Sequence, residues 1–153
     1  MPPPYGAWAY AQILERHPNL AAAGFDVTSD DIPRFNCIAW AAGDTTNWWW
    51  PTNGGHWPPG CPRNESRPAF EAAFAGLGYS PCGLDASVEA NTDKVAIYVG
   101  RDLRTKHMAI QLPDGRWSSK LGMAWDIEHH ALSGLEDDVY GVVEMILRRP
   151  RTL

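Results

Sequence analysis

Two hydrophobic periods divide the chain near residue 94. Before it, apolar residues recur at helical spacing, and after it they run as strands do. Tyr5 to Arg16 has a helical pattern, with Trp8, Ala11, Ile13, Leu14 and Leu20 as its expected apolar side. A short helix is predicted at about 36–43, and a longer one over Ser66 to Leu77. In the longer one Ala69, Phe70, Ala72, Ala73, Phe74 and Leu77 form the stripe and Gly78 stands ready to end it. Val95 to Val99, Lys106 to Leu112, Arg116 to Lys120 and Tyr140 to Leu147 read as strands. Pro113-Asp114-Gly115 is a hairpin signal between the second and third of these. Helices first and an antiparallel sheet afterwards make an α+β fold.

Between the two halves, residues 44–64 are rich in Thr, Asn, Trp, Gly and Pro and predict a long surface loop. The prolines at 2–4 give an extended lead-in, and no internal repeat is visible. With 153 residues, 44% hydrophobic and 20% charged, one domain spanning 1–153 is expected, able to bury a core without metal or disulfide staples. Net charge is −5 and Arg148, Arg149 and Arg151 are the one basic cluster, which argues against a nucleic-acid partner. The start, Met-Pro-Pro-Pro-Tyr, lacks a signal-peptide pattern, and no stretch has the apolar length of a membrane helix. A cytoplasmic protein is expected, or a module cut from a longer chain such as a delivered toxin. Cys37, Cys61 and Cys82 read as reduced thiols.

Candidate chemistry starts at Cys37, in Phe35-Asn36-Cys37-Ile38-Ala39-Trp40-Ala41-Ala42-Gly43. A polar residue before the thiol and small apolar residues after it suit a cysteine on the first turn of a buried helix. There unpaired N–H groups and the helix dipole favour a thiolate with a depressed pKa. The bland alternative is a buried small hydrophobe. His107 opens the strand-like run His107-Met108-Ala109-Ile110-Gln111-Leu112 and is the candidate base; its own bland alternative is a structural sheet histidine. The Cys37 backbone N–H is the natural first oxyanion donor, with Asn36, Asp31 or a loop N–H to complete the hole.

The order helix-borne Cys, strand-opening His and a polar residue on the next strand resembles papain-like cysteine hydrolases. The compact bacterial branch with cell-wall peptidases and CHAP-type amidases is the nearest likeness, carried by Cys37 and by the run His107 to Ser119. The resemblance implies a papain-like fold, Cys37 as nucleophile, His107 as general base and Ser119 as the residue orienting it. That third position is usually His, Asn or Gln in the branch, so Ser118, Lys120, Asp126, Glu128 and His129 stand as substitutes. The chain as a whole also resembles a small bacterial domain family of no settled function.

Strand register tests the third position independently. A three-residue loop at 113–115 pairs Leu112 with Arg116, sets Ala109 opposite Ser119 and puts His107 and Ser119 on one face. A two-residue loop brings Ser118 and Lys120 to that face instead. Trp48, Trp49, Trp50 and Trp57, with Asn36 and Trp40, are either core anchors of a wide loop or the wall of a substrate cleft beside the thiol. His129-His130 with Asp126 and Glu128 lacks zinc spacing, so no metal is expected. Gly54-Gly55 is only a turn, so no cofactor is expected either. Asp137 and Asp138 read as a solvated turn.

The expectation is a cysteine-dependent hydrolase or acyl transferase acting on a peptide or protein amide. Its rival is a binding protein that keeps the scaffold and uses the Trp-rich loop as a contact surface.

Overall fold

The computed structural model describes residues 6–28, 35–121 and 125–151. Helices α1 (Gly6–Arg16) and α2 (Leu20–Ala23) lead into strand β1 (Phe25–Val27). Helices α3 (Cys37–Ala42) and α4 (Arg67–Ala75) follow. Then come β2 (Ser80–Pro81), β3 (Thr92–Val99), β4 (Thr105–Gln111), β5 (Trp117–Lys120) and β6 (Asp126–His129). A 3-10 turn, Leu132–Leu135, precedes the last strand, β7 (Val142–Pro150). The strands form one seven-stranded antiparallel sheet in the order β1-β6-β5-β4-β3-β7-β2. The architecture is therefore α+β, with N-terminal helices packed on that sheet.

Local chemistry explains where the helices begin and end. Asn36 caps α3 by accepting from the Ala39 N–H at 3.1 Å, and Gly43 closes it at φ 81°, a left-handed conformation that glycine adopts without strain. Ser66 caps α4, with proline in its first turn. The first helix departs from expectation in two respects. Leu20 belongs to the separate α2, because His17-Pro18-Asn19 intervenes, and Trp8 is 68% exposed while Ala9 and Ile13 carry the buried side.

Side chains alternate between two cores across the sheet. On one face Val95, Ile97, Val99 and Met108 pack beneath α3 and α4, with Phe70, Phe74, Trp49 and Trp57. On the other, Ala96, Tyr98, Ala109, Trp117 and Ile127 meet Ile13 of α1, Leu20 of α2 and Leu135. These are called the α3 face and the α1 face below. Strands β1, β2 and β6 escape the hydrophobic pattern: β1 and β2 have three and two residues, and β6, Asp-Ile-Glu-His, carries one aliphatic side chain.

Candidate active site

The hairpin joining β4 and β5 uses the three-residue loop. Ile110 pairs with Ser118 and Gln111 with Trp117, and the Leu112 N–H donates to the Arg116 carbonyl at 2.7 Å. That register sends His107 and Ser119 to the α1 face and Ser118 and Lys120 to the α3 face. Beyond Ile110–Ser118 the β4–β5 ladder opens, while β5 stays paired with β6 from Trp117 to Lys120. His107, Ser119 and His129 are the side chains that meet below this opening.

Their hydrogen bonds have one consistent direction. His129 Nδ1 lies 3.0 Å from the Ala131 carbonyl, an obligate acceptor, so Nδ1 carries the proton. In the neutral ring Nε2 is then an acceptor, and the Ser119 hydroxyl donates to it at 2.8 Å. Ser119 Oγ in turn accepts from His107 Nε2–H at 2.9 Å. His107 is left with an unprotonated Nδ1, buried and without a hydrogen-bond partner among the described residues. Ser119 thus bridges the two histidines, with His129 standing behind it.

The other substitutes lie elsewhere. Ser118 accepts from Trp40 Nε1 at 2.9 Å, Lys120 and Asp126 face each other across β5–β6, and Glu128 meets Arg116 at 3.1 Å. Lys120 also places its ammonium 5.5 Å from the Phe35 ring centre. Adjacent His129 and His130 point oppositely, one fully buried and one exposed. Among the described residues no group of three or more His, Cys, Asp or Glu could hold a metal ion.

Cys37 opens α3, which packs across β4 and β5. Its sulfur reaches the sheet at the backbone N–H of Met108, the residue after His107. The sequence leads to the expectation of an acidified thiol here, and the structure differs. Burial pushes Cys37 up to about 11, outweighing the N–H groups of Met108, Ile38 and Cys37 itself and the charge of Lys120. A six-residue helix offers a weak dipole against so dry a site. Burial likewise holds His107 well below the ordinary histidine value, with His129 and His17 adding to it. The resting pair is a neutral thiol and a neutral imidazole, with no hydrogen bond between them.

Tyr140 stacks on His107, ring centres 4.2 Å apart and 6° from parallel, and Tyr98 meets the same ring edge-on at 5.2 Å. The other side of Tyr140 lies 4.7 Å from the His17 ring. Asp137 builds the turn that presents Tyr140: its Oδ1 accepts from the N–H groups of Val139 and Tyr140, both at 2.9 Å, and its Oδ2 accepts from His17 Nδ1 at 2.6 Å. Asp137 and His17 are 5% and 4% exposed, so the expected solvated turn is half wrong, because α1 comes back over it. Gly141 closes the turn; a Cβ there would stand 2.0 Å from the Val99 carbonyl oxygen.

The remaining site candidates are tied into the α3 face. Asn36 clamps Trp49, donating to its carbonyl at 2.6 Å and accepting from its N–H at 3.2 Å, so both ends of this amide are engaged. Asp31 lies outside the described residues. Trp49 donates to Asp44 at 2.8 Å and Trp57 to the Pro62 carbonyl at 2.9 Å; both rings are buried against Phe74 and Phe70 respectively. Burial opposes ionisation of Asp44, yet hydrogen bonds from Trp49, Asn47 and Thr46 hold it well below the usual carboxylate range. Trp50 packs on Phe70 and donates to Glu65 at 3.2 Å. Trp48 is 38% exposed and is the tryptophan of this loop that presents most surface to solvent. A groove of about 810 Å³ lies beyond the start of β4, lined by Val99, Leu103, Lys106, Glu136, Asp138 and Val142 among others.

Fold and network together define an α+β protein that buries a hydrogen-bonded histidine–serine–histidine chain on one face of an antiparallel sheet and a helix-borne thiol on the other. Residues 26–148 match the model of the family described as a domain of unknown function (DUF7689), and the chain belongs to that family. No curated protein and no solved structure gives a significant match. Among the described residues no helix is long and apolar enough to cross a membrane.

Proposed function

We propose that this protein is a cysteine-dependent hydrolase or acyl transferase on a papain-like scaffold, with Cys37 as nucleophile and His107 as general base. The observation that carries this reading is the buried, unprotonated Nδ1 of His107, which has no hydrogen-bond partner among the described residues. Its ring is held in the Nε2–H tautomer by Ser119 and His129, while Cys37 opens the helix that packs across β4 and β5.

In the proposed reaction Cys37 Sγ attacks the carbonyl carbon of a peptide or protein amide as the S–H proton moves to His107 Nδ1. The C–N bond breaks, the amine leaves with that proton, and water or an acceptor amine releases the acyl group from sulfur. Because thiol and imidazole are both neutral at rest, the proton moves at the moment of attack. Transfer between two dry neutral groups is uphill, so admission of substrate or water must accompany it.

A second reading, a non-catalytic binding protein on the same scaffold, is favoured by the depth of the thiol, 5% exposed. Alkylation of Cys37 by iodoacetamide, followed by mass spectrometry that separates it from Cys61 and Cys82, distinguishes the two. General-base assistance predicts labelling that is nearly flat between about pH 6 and 8, whereas an unassisted thiol labels about tenfold faster per pH unit. His107→Ala should restore the steep profile and slow labelling at neutral pH at least about tenfold. A steep profile in the wild type, indifferent to His107→Ala, overturns the enzyme reading.

A further inference from the structure

We propose that a proton accepted by His107 is passed through Ser119 to His129, so that Ser119 is a conduit and His129 the group that carries the charge. The links span three strands: His107 on β4, Ser119 on β5 and His129 on β6, at 2.9 and 2.8 Å, ending on the Ala131 carbonyl at 3.0 Å. Both side-chain pairs are diagonal neighbours on one face, and all three residues are buried to 0% exposure. Every donor points the same way, which is the condition for a concerted shift along the chain.

The step balances as follows. A proton bonds to His107 Nδ1 as the Nε2–H bond breaks and delivers its proton to Ser119 Oγ. The Ser119 O–H bond breaks and delivers its proton to His129 Nε2. His107 ends neutral in the Nδ1–H tautomer, Ser119 keeps a hydroxyl, and His129 becomes an imidazolium whose Nδ1–H faces a carbonyl oxygen. Donation back to a leaving amine runs the same shift in reverse.

The surroundings favour His129 as the resting place. Burial lowers His129 to about 4 even with the Ala131 carbonyl raising it, whereas burial, His129 and His17 all hold His107 well below the ordinary value. Facing the relay are Tyr98 from β3, Tyr140 and, beyond it, His17 from the end of α1, with His130 beside His129. Asp137 is engaged by His17, and Lys120 and Asp126 lie on the α3 face. The catalytic purpose of the relay rests on the reaction proposed above; the relay itself does not.

Histidine side-chain ¹⁵N–¹H correlation spectra of the full chain, recorded as pH is lowered over the range where circular dichroism stays native, test it. His107 should change from the Nε2–H to the Nδ1–H tautomer at the same midpoint at which His129 gains its second proton. Ser119→Ala should uncouple the two events, and Ser119→Thr, which keeps the hydroxyl, should restore them. Should Ser119→Ala fail to fold, His129→Gln serves: His107 must then become doubly protonated with no tautomer switch. In the wild type, His129 titrating while His107 keeps its tautomer, or His107 becoming an imidazolium while His129 stays neutral, overturns the relay. Coupled titration with Cys37 alkylation indifferent to His107 supports the relay and removes the enzyme. His107-dependent alkylation without coupled titration overturns the relay and leaves the enzyme.

Discussion

On the α3 face of the sheet Val95, Ile97, Val99 and Met108 are buried beneath Phe70, Phe74, Trp49 and Trp57; the α1 face buries, among its apolar side chains, Tyr98, His107, Ser119 and His129. The first set packs by area and shape, and where it holds a polar atom, as in the indole N–H groups of Trp49 and Trp57, one nearby acceptor takes it. Such packing is non-directional, so neighbouring aromatics can adjust around a change. The second set is directional. Each ring nitrogen and the serine hydroxyl has an assigned donor or acceptor role, fixed from the Ala131 carbonyl backwards, and a single error leaves a dry polar atom. Both faces bury an apolar core, and the α1 face adds to its own the directional chain of His107, Ser119 and His129.

Perturbing each face in turn sharpens that contrast. The largest loss is expected for Phe70→Ala, which empties the centre of the aromatic cluster with Trp50 and Trp57; urea unfolding should show about 3–5 kcal/mol. Asp137→Ala, on the relay side, strips three donors of their acceptor and should cost about 3 kcal/mol. It should also loosen Tyr140 from His107, visible as a change in the His107 ring shifts.

Acid should act through the α1 face. His129 is lowered to about 4 by burial, against 6.5 for the free side chain, so between those values the unfolded chain binds more protons than the native one. Stability therefore falls as pH drops from about 6.5 to about 4, by about 3 kcal/mol from His129, with His107 adding in the same direction. Urea midpoints measured against pH should show this slope, and His129→Gln should flatten it.

Back on the α3 face, Asn36→Ala removes a helix cap and both clamps on Trp49, for about 2 kcal/mol by urea unfolding. Trp40→Phe keeps the ring stacked on Phe35 and loses the bond to Ser118, for about 1 kcal/mol with the His107 spectrum unchanged. A shift of the His107 resonances in Trp40→Phe would show that the two faces are coupled through β5.

Much of the scaffold was legible because it rests on local rules. Asn36 before Cys37 and Gly43 after Ala42 are cap signals that act within a few residues, and the helix they predict is the one formed. Pro113-Asp114-Gly115 set the hairpin, and the three-residue loop put Ser119 beside His107. Strands β1 and β6 were not legible, since neither carries an alternating apolar pattern long enough to register. His129 was weighed as a metal ligand and as a substitute third residue, but its place behind Ser119 depends on β6 pairing with β5 in one register. Asp137 looked like a solvated turn because the α1 end that covers it lies 120 residues away in the chain.

What the sequence determined by itself is the α+β order, the position of a thiol at a helix start, and a hairpin after His107 whose two possible loop lengths put either Ser119, or Ser118 and Lys120, on the face of His107. Those follow from backbone periodicity and capping, which act over one turn or one hairpin. The tertiary structure alone decided how dry these groups are, and therefore that Cys37 rests as a thiol rather than a thiolate. It also decided that His107 is backed by a serine and a second histidine. Desolvation and cross-strand hydrogen bonds depend on which distant segments close over a side chain, and no local pattern encodes that.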